Sequence, residues 1–209
     1  MAAMATALQL DTPHGPARAH LHEAEAATGA LVLGHGAGGG VGAPDLVAAT
    51  TVALSLGVSV ALVEQPYRVA GRRSPAPARQ LDAAWTAVLE QLRADTLDEL
   101  PIVTGGRSSG ARVACRTAAA TGAAGVLCLA FPLQPPARAS GTRSPSRLDE
   151  LDGVEVPVFV VQGEGDPFGM PPPGPNRTVV RLRANHSLRS DMPGLTAAIT
   201  DWLPRVLAA

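Results

Sequence analysis

The feature that most constrains this chain is an alternation of short apolar runs with longer spacers. ALVLG, VSVALV, PIVTGG, GVLCLAF, PVFVVQG and TVVRLR follow one another from residue 30 to residue 183. Antiparallel strands can be joined by two residues, whereas parallel strands need a crossover of a dozen or more, and every spacer here is of crossover length. Runs that are apolar at nearly every position suit strands covered on both faces. The order therefore predicts a doubly wound, mostly parallel α/β sheet.

Three of the spacers are helical in pattern. Pro44 and Asp45 open a helix to about Ser55. Ala78 to Asp95 carries Leu81, Trp85, Val88, Leu89 and Leu92 at helical spacing, so Trp85 is a core residue. SSGARVACRTAAAT reads as a third helix closed by Gly122, and the tail from about Asp191 to Leu207, with Leu195, Ile199, Trp202 and Leu203, as a closing one. Ahead of the alternation, ALQLDT and ARAHLHEA flank the turn signal PHGP, which predicts a hairpin or two edge strands. His20 and His22 then share one strand face; with no third ligand nearby, a solvated edge-strand face is preferred to a metal pair. The longest irregular stretch, PLQPPARASGTRSPSRLDEL, cannot build a second core, so residues 1–209 are expected to form one domain.

Composition removes several classes of function. All 17 basic residues are arginine, which excludes a lysine Schiff base, covalent pyridoxal phosphate and a P-loop lysine. A formal charge of −1 offers no basic field for nucleic acid. Cys115 and Cys128 sit in apolar runs without a CxxC, so they read as small buried hydrophobes and not as a zinc or disulfide site. Leu46 to Val63 is free of charge, but Thr50, Thr51, Ser55 and Gly57 break it into a helix, a glycine stop and a strand, so no membrane span is expected. The N-terminus lacks a basic region followed by an apolar core, which points to a cytoplasmic protein.

Two glycine-rich turns compete for the chemistry. Gly34, Gly36 and Gly39 satisfy GxGxxG after a strand, and Glu64 ends the next strand, a pattern compatible with NAD(P) binding. Glu64 lies 25 residues past Gly39, beyond the usual offset, and Pro44 delays the helix. The second turn, Gly106-Arg107-Ser108-Ser109-Gly110, is GxSxG between a predicted strand and a predicted helix. Small residues two before and two after a serine on so sharp a turn relieve clashes, which selects Ser108 over Ser109. In a strand-to-helix elbow of this kind the chain order of partners is serine, acid, histidine. Only His186 follows Ser108 among the histidines. Asp166 ends the strand VFVVQG at the same sheet edge. Glu164 is its nearest rival, while Asp152 and Glu155 precede that strand and belong at the other end. The first turn is then read as the donor loop for a developing oxyanion, with the backbone amides of Ala37 and Ser109 as donors and His35 as a structural residue.

HGAGG, GGRSSGARVA, QGEGDPFG and ANHSL, in this order, resemble the small lidless α/β-hydrolases related to dienelactone hydrolase. The chain is also similar to a bacterial group that resembles a subunit of an animal chromatin-associated complex. The resemblance, from about residue 30 onward, implies an α/β-hydrolase fold without a cap domain and carries Ser108, Asp166 and His186 over as a catalytic triad. Ser108 stands where dienelactone hydrolase has a cysteine. The expected function is that of a serine hydrolase cleaving a small carboxylic ester, thioester or related acyl compound through an acyl-enzyme, with no metal or organic cofactor and no nucleic-acid or membrane partner. Loops at Tyr67–Pro77 and Phe131–Arg147 are expected to edge an open pocket, and Arg72 and Arg73 to be solvated or to meet an acidic substrate. The alternative is a hydrolase fold kept for binding a protein partner, with the loop from Pro132 to Arg147 exposed for it.

Overall fold

The computed structural model describes residues 5–137, 141 and 144–208. Strands β1 (Thr6–Leu10) and β2 (Ala17–His22) form an antiparallel hairpin. The alternating part follows as β3 (Gly29–Gly34), α1 (Pro44–Ser55), β4 (Val58–Glu64), α2 (Pro66–Val69), α3 (Ala78–Asp95), β5 (Ile102–Arg107), α4 (Ser109–Thr117), β6 (Gly125–Leu129), α5 (Leu148–Asp152), β7 (Val158–Gly163), β8 (Arg177–Leu182) and α6 (Met192–Leu207). All eight strands join one sheet in the order β1-β2-β4-β3-β5-β6-β7-β8, and β3 to β8 run parallel. The hairpin is added at one side, with β2 pairing antiparallel to β4. β2 is therefore an inner strand, and of the hairpin β1 alone lies at an edge of the sheet.

The strand period of two splits the core into layers. Leu31 and Leu33 of β3 point toward α1 and α6, packing with Leu46, Ala49 and Ile199. Ala30 and Val32 point the other way, toward Leu81, Trp85, Val88, Leu89 and Leu92 of α3. Trp85 is thus fully buried, as its spacing predicts. On the α4 side Cys115 and Cys128 are buried with their sulfurs 3.5 Å apart, free thiols inside an apolar cluster. The thiol of Cys128 is pushed up, by the bond to Cys115 and then by burial, and both cysteines are buried packing residues.

α4 ends earlier than its sequence pattern suggests, and the chain turns at Gly122 with φ +57°. The short helices α2 and α5 were not predicted; four or five residues carry too little periodicity to show. Among the described residues no helix is long and apolar enough to cross a membrane. No group of three or more potential metal ligands occurs among them either, and His20 is instead bound to Glu64, 3.0 Å away.

Because β3 to β8 are parallel, their C-terminal ends share one rim. Ser108 follows β5, the Gly34–Gly42 loop follows β3, Asp166 follows β7 and His186 follows β8. The topology alone brings these four segments together.

Candidate active site

Ser108 sits between β5 and α4 with φ +53° and ψ −107°, a left-handed backbone that L-residues adopt at a cost of about 1–3 kcal/mol. Its amide is held by Leu129 O of β6 at 2.9 Å. The flanking glycines are required, and the reason lies partly outside the turn. A Cβ at Gly110 would come within 2.3 Å of Gly34 O, and one at Gly106 within 2.4 Å of the same atom. The elbow is pressed onto β3, so only glycine permits the approach. Gly34, the first glycine of the GxGxxG pattern, thereby serves the elbow, and α1 starts only at Pro44. Glu64 is turned away toward His20 and Arg18. The late start of α1 and the pairing of Glu64 both depart from a dinucleotide fingerprint.

Ser108 Oγ lies 3.0 Å from His186 Nε2, and His186 Nδ1 lies 2.8 Å from Asp166 Oδ2. A carboxylate only accepts, so Nδ1 carries the proton and the Nε2 lone pair faces the serine hydroxyl. The Asp166 side chain is fully buried. Its Oδ2 also accepts from Gln162 Nε2 at 2.9 Å, and Oδ1 accepts from the Phe168 amide at 2.9 Å. Phe168 packs on the imidazole with ring centroids 4.6 Å apart. Glu164 is exposed. Asp152 bonds Arg177, and the exposed Glu155 precedes β7 at the opposite end of the sheet. Asp166 is thus the acid that meets His186.

His35 is buried and doubly bonded: Nδ1 donates to Gly36 O at 2.8 Å, and Nε2 accepts from the Gln65 amide at 3.2 Å. Burial pulls its pKa down, which keeps the ring neutral and suits this pair of bonds. In a trans peptide the N–H points opposite to the carbonyl. Holding Gly36 O inward therefore aims the Ala37 N–H outward, and Tyr67 Oη fixes the next carbonyl by donating to Ala37 O at 2.9 Å. Among the described residues, neither the Ala37 amide nor the Ser109 amide at the start of α4 is taken by another group.

Arg107 was not singled out by the sequence reading, yet it ties the rim together. Its Nη2 donates to His186 O at 3.1 Å, and its Nε lies 2.8 Å from Asp45 Oδ2. The N–H direction misses that oxygen, which leaves an ion pair without an aligned hydrogen bond. Asp45 is fully buried, and desolvation raises its pKa against the pull of Arg107. No local motif marks this pair, because its members are 62 residues apart in the chain.

Two depressions adjoin the site. A cleft of about 570 Å³ is lined by Gly38 to Gly40, Arg107 and Ser187 among others, and a pocket of about 180 Å³ lies at Gln134, Pro135 and Phe168. Of the Tyr67–Pro77 stretch, Tyr67 reaches the site through a small cavity of about 10 Å³ that it lines with His35 and Ser109, but no residue of the stretch lines either depression. Tyr67, Arg72 and Ala76 line a separate cavity of about 90 Å³ with His14 and Gln65, and Arg73 is exposed. Part of the loop from Pro132 to Arg147, namely 138–140 and 142–143, lies outside the described residues.

The family model described as "Alpha/beta hydrolase domain" matches residues 27–179. The chain therefore belongs to the α/β-hydrolase family. Among solved structures it is similar to XC6422 from Xanthomonas campestris, an α/β serine hydrolase without lid, with a TM-score of 0.78 at 21% identity, covering 99% of this chain and 96% of that one. It is also similar to Est1E from Butyrivibrio proteoclasticus, with a TM-score of 0.77 at 15% identity, covering 97% and 99% of the two chains. A third is dienelactone hydrolase from Anabaena variabilis, with a TM-score of 0.76 at 14% identity, covering 99% and 100%. No curated protein matches the sequence. The fold is that of an α/β-hydrolase without a cap domain.

Proposed function

We propose that this protein is a serine hydrolase of the esterase or thioesterase type, acting on a small acyl compound. The observation that carries the reading is the continuous chain from Ser108 Oγ to His186 Nε2 at 3.0 Å and from His186 Nδ1 to Asp166 Oδ2 at 2.8 Å. In this mechanism His186 takes the Ser108 proton as Oγ attacks the acyl carbon. Asp166 holds the imidazole in the required tautomer and stabilises the imidazolium that forms. The carbonyl oxygen gains negative charge and is met by the amides of Ala37 and Ser109, each donor contributing about 2.7–4 kcal/mol. His186 then gives its proton to the leaving alcohol or thiol. Water, deprotonated by the same imidazole, releases the acid and restores Ser108. No step calls for a metal or organic cofactor, and a cytoplasmic small-molecule role fits this reading.

A fluorophosphonate probe tests it. Labelling of the wild type that disappears in Ser108→Ala supports the hydrolase. A folded wild-type protein that resists the probe would instead favour the partner-binding module suggested by the chromatin-subunit resemblance.

A further inference from the structure

The rim contains glycines of two physical kinds. Gly34, Gly106 and Gly110 are demanded by backbone contacts inside the protein. Gly38, Gly40 and Gly42 are not: a Cβ at any of them would meet nothing within 4 Å, and one at Gly39 would only touch Gly36 O at 4.0 Å. None of these four adopts left-handed backbone. The fold gives no internal reason for them, although an ordinary residue would cost less conformational entropy. What they share is a place on the cleft of about 570 Å³ that is also lined by Arg107 and Ser187, the chain neighbours of Ser108 and His186. Removing four side chains there strips the wall to its peptide groups, which is what close approach by a ligand requires.

The remaining wall carries two arginines beside Ala43 and Pro44. Arg107 and Arg189 face the cleft, and Ser187 supplies the one side-chain hydroxyl among the described residues that line it. Asp45 balances Arg107, whose Nε is ion-paired with Asp45 and whose Nη2 donates to His186 O, while Nη1 has no bond among the described residues. Arg189 is exposed and has no acidic partner among the described residues. Asp191, the nearest acid in sequence, is occupied by the amides of Arg183 and Gly194. One uncompensated guanidinium, a second that is partly free, and bare peptide groups suit an oxyanion, which accepts charge-assisted bonds from each.

Resting on the hydrolase reading above, we propose that the cleft is an anion subsite, and that the substrate is an acyl compound carrying a carboxylate or phosphate group held by Arg189, Arg107 and the Gly38–Gly42 backbone. This places the anionic determinant at Arg189 and not at Arg72 or Arg73.

Two experiments test it, and the first does not depend on turnover. Calorimetric titration of the Ser108→Ala protein with monomethyl succinate, inorganic phosphate and neutral dimethyl succinate reads binding directly. Binding of either anion but not of the diester, weakened roughly tenfold or more by Arg189→Gln and unchanged by Arg73→Gln, is the expected result; tenfold is the effect of losing one charge-assisted bond. The anion that binds more tightly identifies the source. Absence of anion binding, or equal losses in the two arginine variants, overturns the proposal. The second experiment compares kcat/KM for p-nitrophenyl butyrate and mono-p-nitrophenyl succinate. Arg189→Gln is expected to lower only the succinate value, with partial rescue in Arg189→Lys, and an equal fall for both esters overturns the subsite. If neither ester is turned over and the fluorophosphonate fails to label, the hydrolase reading falls while the titration still decides the cleft.

Discussion

The elbow at Ser108 and the loop at Gly38–Gly42 lie side by side on one rim, are both rich in glycine, and are built on opposite principles. At the elbow, hydrogen replaces a side chain because Gly34 O stands 2.3–2.4 Å from where a Cβ would be. The region is crowded, strained at Ser108, and fixed by the bond that the Ser108 amide donates to Leu129 O. At the loop the same residue faces open space. A glycine-rich segment thus carries two separate messages, one about what the chain packs against and one about what it leaves room for, and the three-dimensional surroundings tell them apart.

The largest effect should come from the crowded side. Asp166→Asn preserves shape but offers an amide to His186, so the imidazole loses its preferred tautomer; kcat is expected to fall about 10⁴-fold with little change in KM. Steady-state kinetics on any hydrolysed ester would check this, and a fall under tenfold would mean that the buried Asp166 is mere packing. Next comes Gly110→Ala. Its new methyl must displace the Gly34 backbone, a cost of about 1–3 kcal/mol or more, seen as a drop of about 2–4 °C in Tm per kcal/mol for a chain of this size. A shift of Ser108 by even 1 Å would slow labelling about 10²-fold. Unchanged melting and labelling would show that the elbow is looser than its contacts imply.

Much of this rim was legible in the amino-acid sequence. The ends of α3 at Ala78 and Asp95 follow from apolar spacing, the order Ser108, Asp166, His186 from the elbow motif, and their common rim from parallel strands that share a C-terminal edge. What was hidden depends on contacts between segments distant in the chain. The strand order, with β4 outside β3, has no local signature. Nor does the Arg107–Asp45 pair, since an arginine in a turn and an aspartate at a helix start each have an ordinary local explanation. The GxSxG spacing announced that Gly110 was needed, but the atom that excludes a side chain belongs to Gly34, 76 residues away.

Asp45 joins the two regions, because Arg107 links it to the His186 carbonyl while also facing the cleft. Its pKa is raised by burial above the ordinary 3.8. The folded state therefore holds this proton more tightly than the unfolded state does. Its contribution to stability is complete below 3.8 and is lost as pH rises through the folded value. Asp45→Asn, neutral throughout, is expected to remove that downward slope from a plot of unfolding free energy against pH in the range just above 3.8. A variant whose slope matches the wild type would locate the burial penalty elsewhere.

The smallest change is the sharpest test of the open side. Gly40→Ala introduces a methyl where nothing lies within 4 Å and where the backbone is already permitted to an L-residue. Restricting the unfolded chain should then raise stability by about 0.4–1 kcal/mol, the reverse of the outcome at Gly110. If the bare loop exists for a ligand, the same methyl should stand between the peptide groups and the anion, so that monomethyl succinate binds more weakly to a protein that melts slightly higher. Gain in stability with loss in binding would separate the two uses of glycine at a single position. Loss of both would mean that the loop is packed after all, and that its glycines answer to the protein and not to its substrate.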